Sequence, residues 1–169
     1  EAGQGVRRAI KEGLVRRDEL FITSKLWNNY HKREHAIEMA HVKTDAWGLG
    51  YLDLFLIHFP IAQQPVPLPA NKYPSWFADR DRTKPMTLAC VPISETWQAL
   101  ETLVSTSSNP SGFVNSIGVS NFHTQTLYDL LSYATVRPSV LQVEHHPYLA
   151  QPQLIAMAQE NEIAVTAYS

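Results

Sequence analysis

Five apolar stretches of this chain each end on residues able to do chemistry. "LFITSKLW" (20–27) carries Lys25 near its end, and "DLFLIHFP" (53–60) runs through Leu54, Phe55, Leu56 and Ile57 straight into His58. Ser120 and Asn121 end the third stretch, Glu144 and His145 the fourth, and Tyr168 and Ser169 the fifth. Gln142 lies inside the fourth, where a purely structural residue would more often be apolar. An amine, an imidazole, hydroxyls and side-chain amides together supply donors, acceptors and titratable groups. One such strand end could be a satisfied core residue. Five in succession argue for a site built at one end of the strands.

Other groupings carry less. Glu144, His145 and His146 look like metal ligands at first glance. Neighbouring strand residues point to opposite faces, however, so the two imidazoles cannot both meet one ion, and no metal is expected. His31 and His35 have i,i+4 spacing, yet His31 falls in the loop before a helix, and a solvated face is expected for them. Arg7, Arg8, Lys11, Arg16 and Arg17 are interleaved with Glu12, Asp18 and Glu19, the pattern of an ordinary exposed helix and turn. "GQG" at 3–5 lacks the third glycine and the preceding strand of a dinucleotide fingerprint, and there is no P-loop. Any nucleotide would be held in a non-Rossmann manner.

These strand ends need elements to position them. Val6, Ala9, Ile10 and Leu14 recur at helical spacing, as do Ala36, Met39, Ala40, Lys43, Ala46 and Trp47 before Gly48 and Gly50 stop the period. Ile93, Trp97, Leu100, Leu103 and Val104 form a third stripe, and Leu127, Leu130 and Leu131 a short fourth. Leu154, Ile155 and Ala158 form a fifth, opened by Pro152 at a first-turn position. Five apolar strands alternating with amphipathic helices predict an α/β fold of parallel strands covered by crossover helices. An open doubly wound sheet and part of an eight-stranded barrel both satisfy the pattern. Residues 60–92 break it: they hold seven of the eleven prolines, no period, and Tyr73, Trp76 and Phe77. They read as a long functional loop. A second polar insert, 104–113, reads as a surface excursion without chemical content.

At 169 residues the chain is the size of one domain, and a formal charge of −2 offers no footprint for nucleic acid or an anionic membrane. No apolar run could span a bilayer and no signal peptide is evident. Cys90 is the only cysteine, which points to a reducing, cytoplasmic setting.

"FITSKLWNNYH" (21–31), "YLDLFLIHFP" (51–60), "SIGVSNF" (116–122), "SVLQVEHHPYL" (139–149) and "IAVTAYS" (163–169) together resemble the aldo-keto reductases, above all the fungal xylose (aldose) reductases. The resemblance spans nearly the whole chain in the family's order. It implies a TIM (β/α)8 barrel of aldo-keto reductase type, of which residues 1–169 would carry the third to seventh strands as one partial domain. The long loop at 60–92 would lie on the substrate side. It also implies NADPH, or NADH in some members, as the cofactor, and reduction of a small-molecule aldehyde or aldose to the alcohol.

By that resemblance Lys25 and His58 are catalytic. The lysine, paired with an aspartate, lowers the pKa of a proton-donating tyrosine, and the histidine orients the carbonyl. A cation near His58 disfavours its protonation, so a neutral imidazole is expected. Ser120, Asn121 and Gln142 would hold the nicotinamide carboxamide, Tyr168 would stack on the ring, and Ser169 would meet the phosphates. Trp27, Phe59, Trp76 and Phe77 would wall the substrate pocket. A homodimer is implied for the full-length form.

Departures from the family pattern carry their own expectations. The chain would begin inside the helix after the second barrel strand and stop at the seventh. The catalytic aspartate and tyrosine and the grip on the 2′-phosphate would then lie outside it. Two strand edges would stay unpaired, and the chain alone is expected to be inactive and at best marginally folded. Asn161-Glu162 replaces a helix-ending glycine, with asparagine expected to take the left-handed turn best. Asn115 replaces a common basic residue. A catalytically dead member serving as a binding or regulatory protein is the alternative reading.

Overall fold

The computed structural model describes residues 1–66, 76–77 and 83–169. Helix α1 (Ala2–Lys11) leads into strand β1 (Thr23–Leu26), followed by α2 (Arg33–Trp47), β2 (Leu52–Ile57), α3 (Ile93–Glu101) and β3 (Val114–Ser120). Then come α4 (Thr124–Tyr133), β4 (Val140–Glu144), α5 (Pro152–Glu160) and β5 (Ala164–Tyr168). The strands form one sheet in the order β1-β2-β3-β4-β5, every pair parallel. Each helix carries the chain back to the starting end of the sheet, as parallel pairing requires. The sheet does not close, so β1 and β5 are edges among the described residues.

One face of the sheet packs against the helices. Leu26, Phe55, Ile57, Ile117, Val119, Leu141 and Val143 meet Trp97, Leu100, Leu127, Leu130, Met157 and Ala158 in a single apolar cluster. Each such side chain contributes roughly 1.5–3 kcal/mol when removed from water. Trp97 is buried whole because its indole N–H finds a partner, the Val136 carbonyl, at 3.0 Å. The stripes read from sequence for α2 to α5 supply residues to this face, whereas Val6, Ala9 and Ile10 of α1 are only half-buried and Ala46 of α2 is exposed. Leu14 follows the end of α1 and is 75% exposed.

Gly118 explains itself on the opposite face. A Cβ there would come within 2.5 Å of the Val140 carbonyl and 2.8 Å of Leu56 Cδ2, so β3 and β4 could not approach as they do. Gly48 caps α2 at φ 63°, the left-handed ending that glycine adopts without strain.

Three expectations are corrected here. Arg7 and Arg17 are not ordinary exposed cations. Arg7 donates to the last carbonyls of α2, at 3.3 Å to Ala46 and 2.5 Å to Trp47. Arg17 pairs with Asp53 at 2.9 Å, lies 3.6 Å over the Tyr51 ring and is mostly buried. Asp53 also accepts from the Ile22 N–H and from Asn115 Nδ2.

At the end of α5 it is Glu162, at φ 60°, that turns left-handed, whereas Asn161 stays at φ −101°. Asn161 is held back because its Nδ2 donates to the Met157 carbonyl at 2.9 Å, capping the helix. Finally, His31 is not solvated. The turn Asn28–Tyr30 draws it under α3, where Thr96 Oγ1 donates to its carbonyl at 2.7 Å, and it is 1% exposed.

Within 60–92 the described residues make two antiparallel contacts, Gln63 opposite Leu88 and Phe77 opposite Pro85. Tyr73 lies outside the described residues. The 104–113 insert folds over its own turn and helps wall a surface cleft of about 540 Å³ together with Gln98, Glu101 and Thr135.

Candidate active site

Strand register places the polar strand ends together. Lys25 stands opposite Leu56 of β2, and Leu56 opposite Gly118 of β3. His58 and Ser120 each lie two residues further along, on the same face as Leu56 and Gly118. Ser120 stands opposite Gln142, Gln142 opposite Thr166, and Tyr168 follows two residues on. Lys25, His58, Ser120, Gln142 and Tyr168 therefore share the face away from the helices, at the carboxyl ends of five parallel strands. That is where parallel α/β folds build sites.

Lys25 acts on His58 through its charge. Burial holds the His58 imidazole down to about 4, and the positive charge of Lys25 adds to the effect. The ring is therefore neutral at physiological pH, as expected. Burial likewise lowers the pKa of Lys25, which makes no ion pair among the described residues. A backbone bond from His58 N–H to the Leu26 carbonyl, 3.0 Å, fastens the histidine to β1.

Three aromatic rings gather beside this pair. Trp27 lies edge-on to His58 at 4.8 Å, to Phe59 at 5.9 Å and to Trp76 at 5.5 Å. Phe59 stacks on His58 at 4.9 Å and meets Trp76 edge-on at 5.0 Å. The structure thus brings Trp27 and Phe59 against the imidazole and Trp76 against both of them, while Phe77 is half-buried and opposite Pro85.

On the other side Asn121 turns left-handed at φ 61° and sends its side chain back over the strand ends. Nδ2 donates to the His58 carbonyl at 2.8 Å and to Ser120 Oγ at 3.1 Å, and Oδ1 accepts from the Tyr168 hydroxyl. Ser120 is buried and Gln142 half-buried, whereas Tyr168 is 40% exposed on the edge strand and Ser169 closes the chain in solvent. A primary amide presents two donor hydrogens and one acceptor oxygen. A hydroxyl and two side-chain amides on one ledge match that set, so these residues fit a nicotinamide carboxamide.

Glu144 shares the inner face, but its carboxylate receives His146 Nε2 at 3.0 Å. Among the described residues no group of three or more His, Cys, Asp and Glu is placed to hold a metal ion, and no helix is long and apolar enough to cross a membrane. The turn after Trp27 holds polar groups that the sequence reading passed over. Asn28 and Asn29 are buried, and Asn29 Nδ2 donates to the Gln64 carbonyl at 2.6 Å, clasping the start of the long loop. Two adjacent asparagines before a histidine were the available signal.

The sequence profile of the Aldo/keto reductase family matches residues 1–169. The chain belongs to the aldo/keto reductase family. An NAD(P)H-dependent pentose reductase of Pyricularia oryzae is 58% identical over 169 residues, and an NADH-dependent D-xylose reductase of Candida parapsilosis is 50% identical over 170. Both alignments cover all of this aldo-keto reductase chain but only 52% and 50% of those relatives, so the chain spans about half their length.

Solved aldo-keto reductases agree. The aldose reductase of Schistosoma japonicum superposes with a TM-score of 0.85 at 32% identity, covering 99% of this chain and 51% of that one. An aldo-keto reductase of Bombyx mori, solved in complex with NADP, gives 0.79 at 37% identity, covering 99% and 47%. The five-stranded sheet is accordingly an arc of the aldo-keto reductase barrel rather than an open doubly wound sheet.

Proposed function

We propose that the protein carrying this chain reduces an aldehyde or an aldose, of the pentose class, to the corresponding alcohol at the expense of NAD(P)H. The observation that carries the reading is the neutral His58 held beside Lys25 on the inner face, with an aromatic wall on one side and an amide-and-hydroxyl ledge on the other. NAD(P)H, when bound, supplies a hydride to the carbonyl carbon.

The chain's own residues do the rest of their share by position. A neutral imidazole can donate one N–H to the substrate carbonyl oxygen, polarising the bond and stabilising charge that develops on oxygen. Burial keeps that imidazole neutral, and Lys25 adds to the effect with a positive field on the same side. Ser120, Asn121 and Gln142 hold the carboxamide, Tyr168 offers a ring to stack on, and Ser169 lies at the phosphate side. Trp27, Phe59, Trp76 and Phe77 exclude water from the reacting carbonyl, with 60–92 as the loop that carries two of them. A homodimer in the cytoplasm is the setting that the pentose reductase likeness implies, and an exposed free thiol at Cys90 agrees with a reducing compartment.

The test is turnover of pentoses and short aldehydes by the gene product at its natural length, followed by the loss of reduced-nicotinamide absorbance. Activity should disappear in Lys25→Met, and kcat should fall about 10²–10³-fold in His58→Ala. Turnover untouched by both substitutions, or none with either cofactor, sinks the reading.

A further inference from the structure

The last paired position of β2 is Ile57, opposite Val119, so the His58 carbonyl lies one residue beyond the ladder. The His58 N–H goes to the Leu26 carbonyl of β1, and no backbone N–H among the described residues reaches the carbonyl itself. Asn121 turns left-handed just past β3, and its own N–H goes to the Gln142 carbonyl of β4 at 3.0 Å. Its side-chain amide takes the vacant role, with Nδ2 on the His58 carbonyl at 2.8 Å and Oδ1 under the Tyr168 hydroxyl. One residue thereby ties together the carboxyl ends of β2, β3, β4 and β5.

Resting on the carbonyl-reductase reading above, we propose that Asn121 is a positioning residue for His58. By holding the His58 carbonyl it fixes the strand end from which the imidazole meets the substrate, and so couples the carboxamide seat to the carbonyl side of the site.

The demands on this position single out asparagine. It needs a left-handed backbone, a donor and an acceptor within short reach of Cα. Glycine meets only the first demand. Aspartate keeps the size but has no donor, and it would set a carboxylate against a carbonyl oxygen. The bond also matters more here than inside a strand, because Pro60 follows two residues later and has no N–H with which to resume a ladder. His58 is thus gripped from both sides: from β1 through its N–H on the Leu26 carbonyl, and from β3 through Asn121. Phe59 moves with it, since the two rings stack at 4.9 Å, so the same bond also places one wall of the pocket.

The experiment begins on the unsubstituted, ligand-free gene product. Scalar coupling across the hydrogen bond from Asn121 Nδ2 to the His58 carbonyl carbon should be seen by NMR, and its absence overturns the proposal without any variant. In Asn121→Gly, which preserves the left-handed backbone, amide exchange at His58 and Phe59 should quicken by about tenfold or more while Phe55 and Leu56 stay protected. The His58 titration midpoint should rise in the same variant as its strand end loosens toward solvent. Tyr168→Phe removes only the Oδ1 partner and should leave the His58 exchange and midpoint as they are. At saturating cofactor, Asn121→Gly should lower kcat by about tenfold. An active enzyme whose Asn121→Gly form binds cofactor weakly but keeps its His58 spectrum and kcat overturns the positioning role alone. Absence of reductase activity in the unsubstituted protein overturns the reaction itself.

Discussion

His58 is neutral for two reasons of unequal size. Burial comes first, and the charge of Lys25 second. Removing the cation while keeping the packing separates them. In Lys25→Met the His58 midpoint should rise above about 4 yet stay below the ordinary 6.5, because the larger cause remains. Histidine NMR titration measures this directly. A midpoint that does not move would place Lys25 too far from the ring to matter. The same logic makes His58 a hydrogen-bond donor to a carbonyl rather than an imidazolium acid. A ring held down to about 4 carries almost no proton to give at neutral pH.

Two junctions between elements carry unusual energies. Glu162 sits at φ 60°, a conformation that costs a residue with a Cβ roughly 1–2 kcal/mol relative to glycine. Glu162→Gly should therefore raise stability by about 1 kcal/mol, net of the extra freedom glycine gains when unfolded. Chemical denaturation reads the shift in midpoint. The second junction is Asp53 at the start of β2. Its carboxylate accepts from Arg17, from the Ile22 N–H and from Asn115, and the paired side chains are only 16% and 13% exposed. Asp53→Ala leaves the guanidinium buried without its charge partner and should cost about 3 kcal/mol by the same measurement. Asp53→Asn, which keeps an acceptor for the Ile22 N–H, should cost less.

The whole molecule should lose stability in mild acid. His31 and His58 both titrate near 6.5 in an unfolded chain and are held down to about 4 here, His31 by burial with a Phe59 backbone group opposing. Between those values the unfolded chain binds protons that the folded chain refuses. Stability therefore falls as pH drops from about 6.5 toward about 4 and levels off below that. His31, almost wholly buried, accounts for about 3 kcal/mol of this, and the share of the half-exposed His58 is reduced by solvent screening. Denaturation midpoints taken through this range should show the slope, and His31→Gln should flatten it. A flat curve in the unsubstituted chain would mean that water or charge reaches these rings. The open arc adds a second property of the molecule as a whole. Val165 is only half-buried and the other β5 residues are exposed, whereas Leu54 and Leu56 on the inner face of β2 are covered. Exposure of the sheet is thus greatest at the edge strand β5, whose outer backbone groups have no strand partner among the described residues.

Local pattern was enough to read most of the scaffold. Alternating apolar strands and amphipathic helices follow from periods of 2 and 3.6, and polar residues at successive strand ends named the site before any contact was known. Pairing decided what periodicity cannot express. Only register shows that Lys25, His58, Ser120, Gln142 and Tyr168 share a face, and the unbroken strand order with the superposition on solved relatives separates an arc of a barrel from an open doubly wound sheet. Long-range partners decided the rest. Arg17 looks like a surface cation until Asp53, thirty-six residues later in sequence, lies against it. His31 looks like a loop residue until α3 covers it, and Asn161 looks like the left-handed turn until Met157 offers its side chain a carbonyl. A side chain's charge state and backbone angle depend on which distant group fills the space beside it, and that is settled by packing in three dimensions.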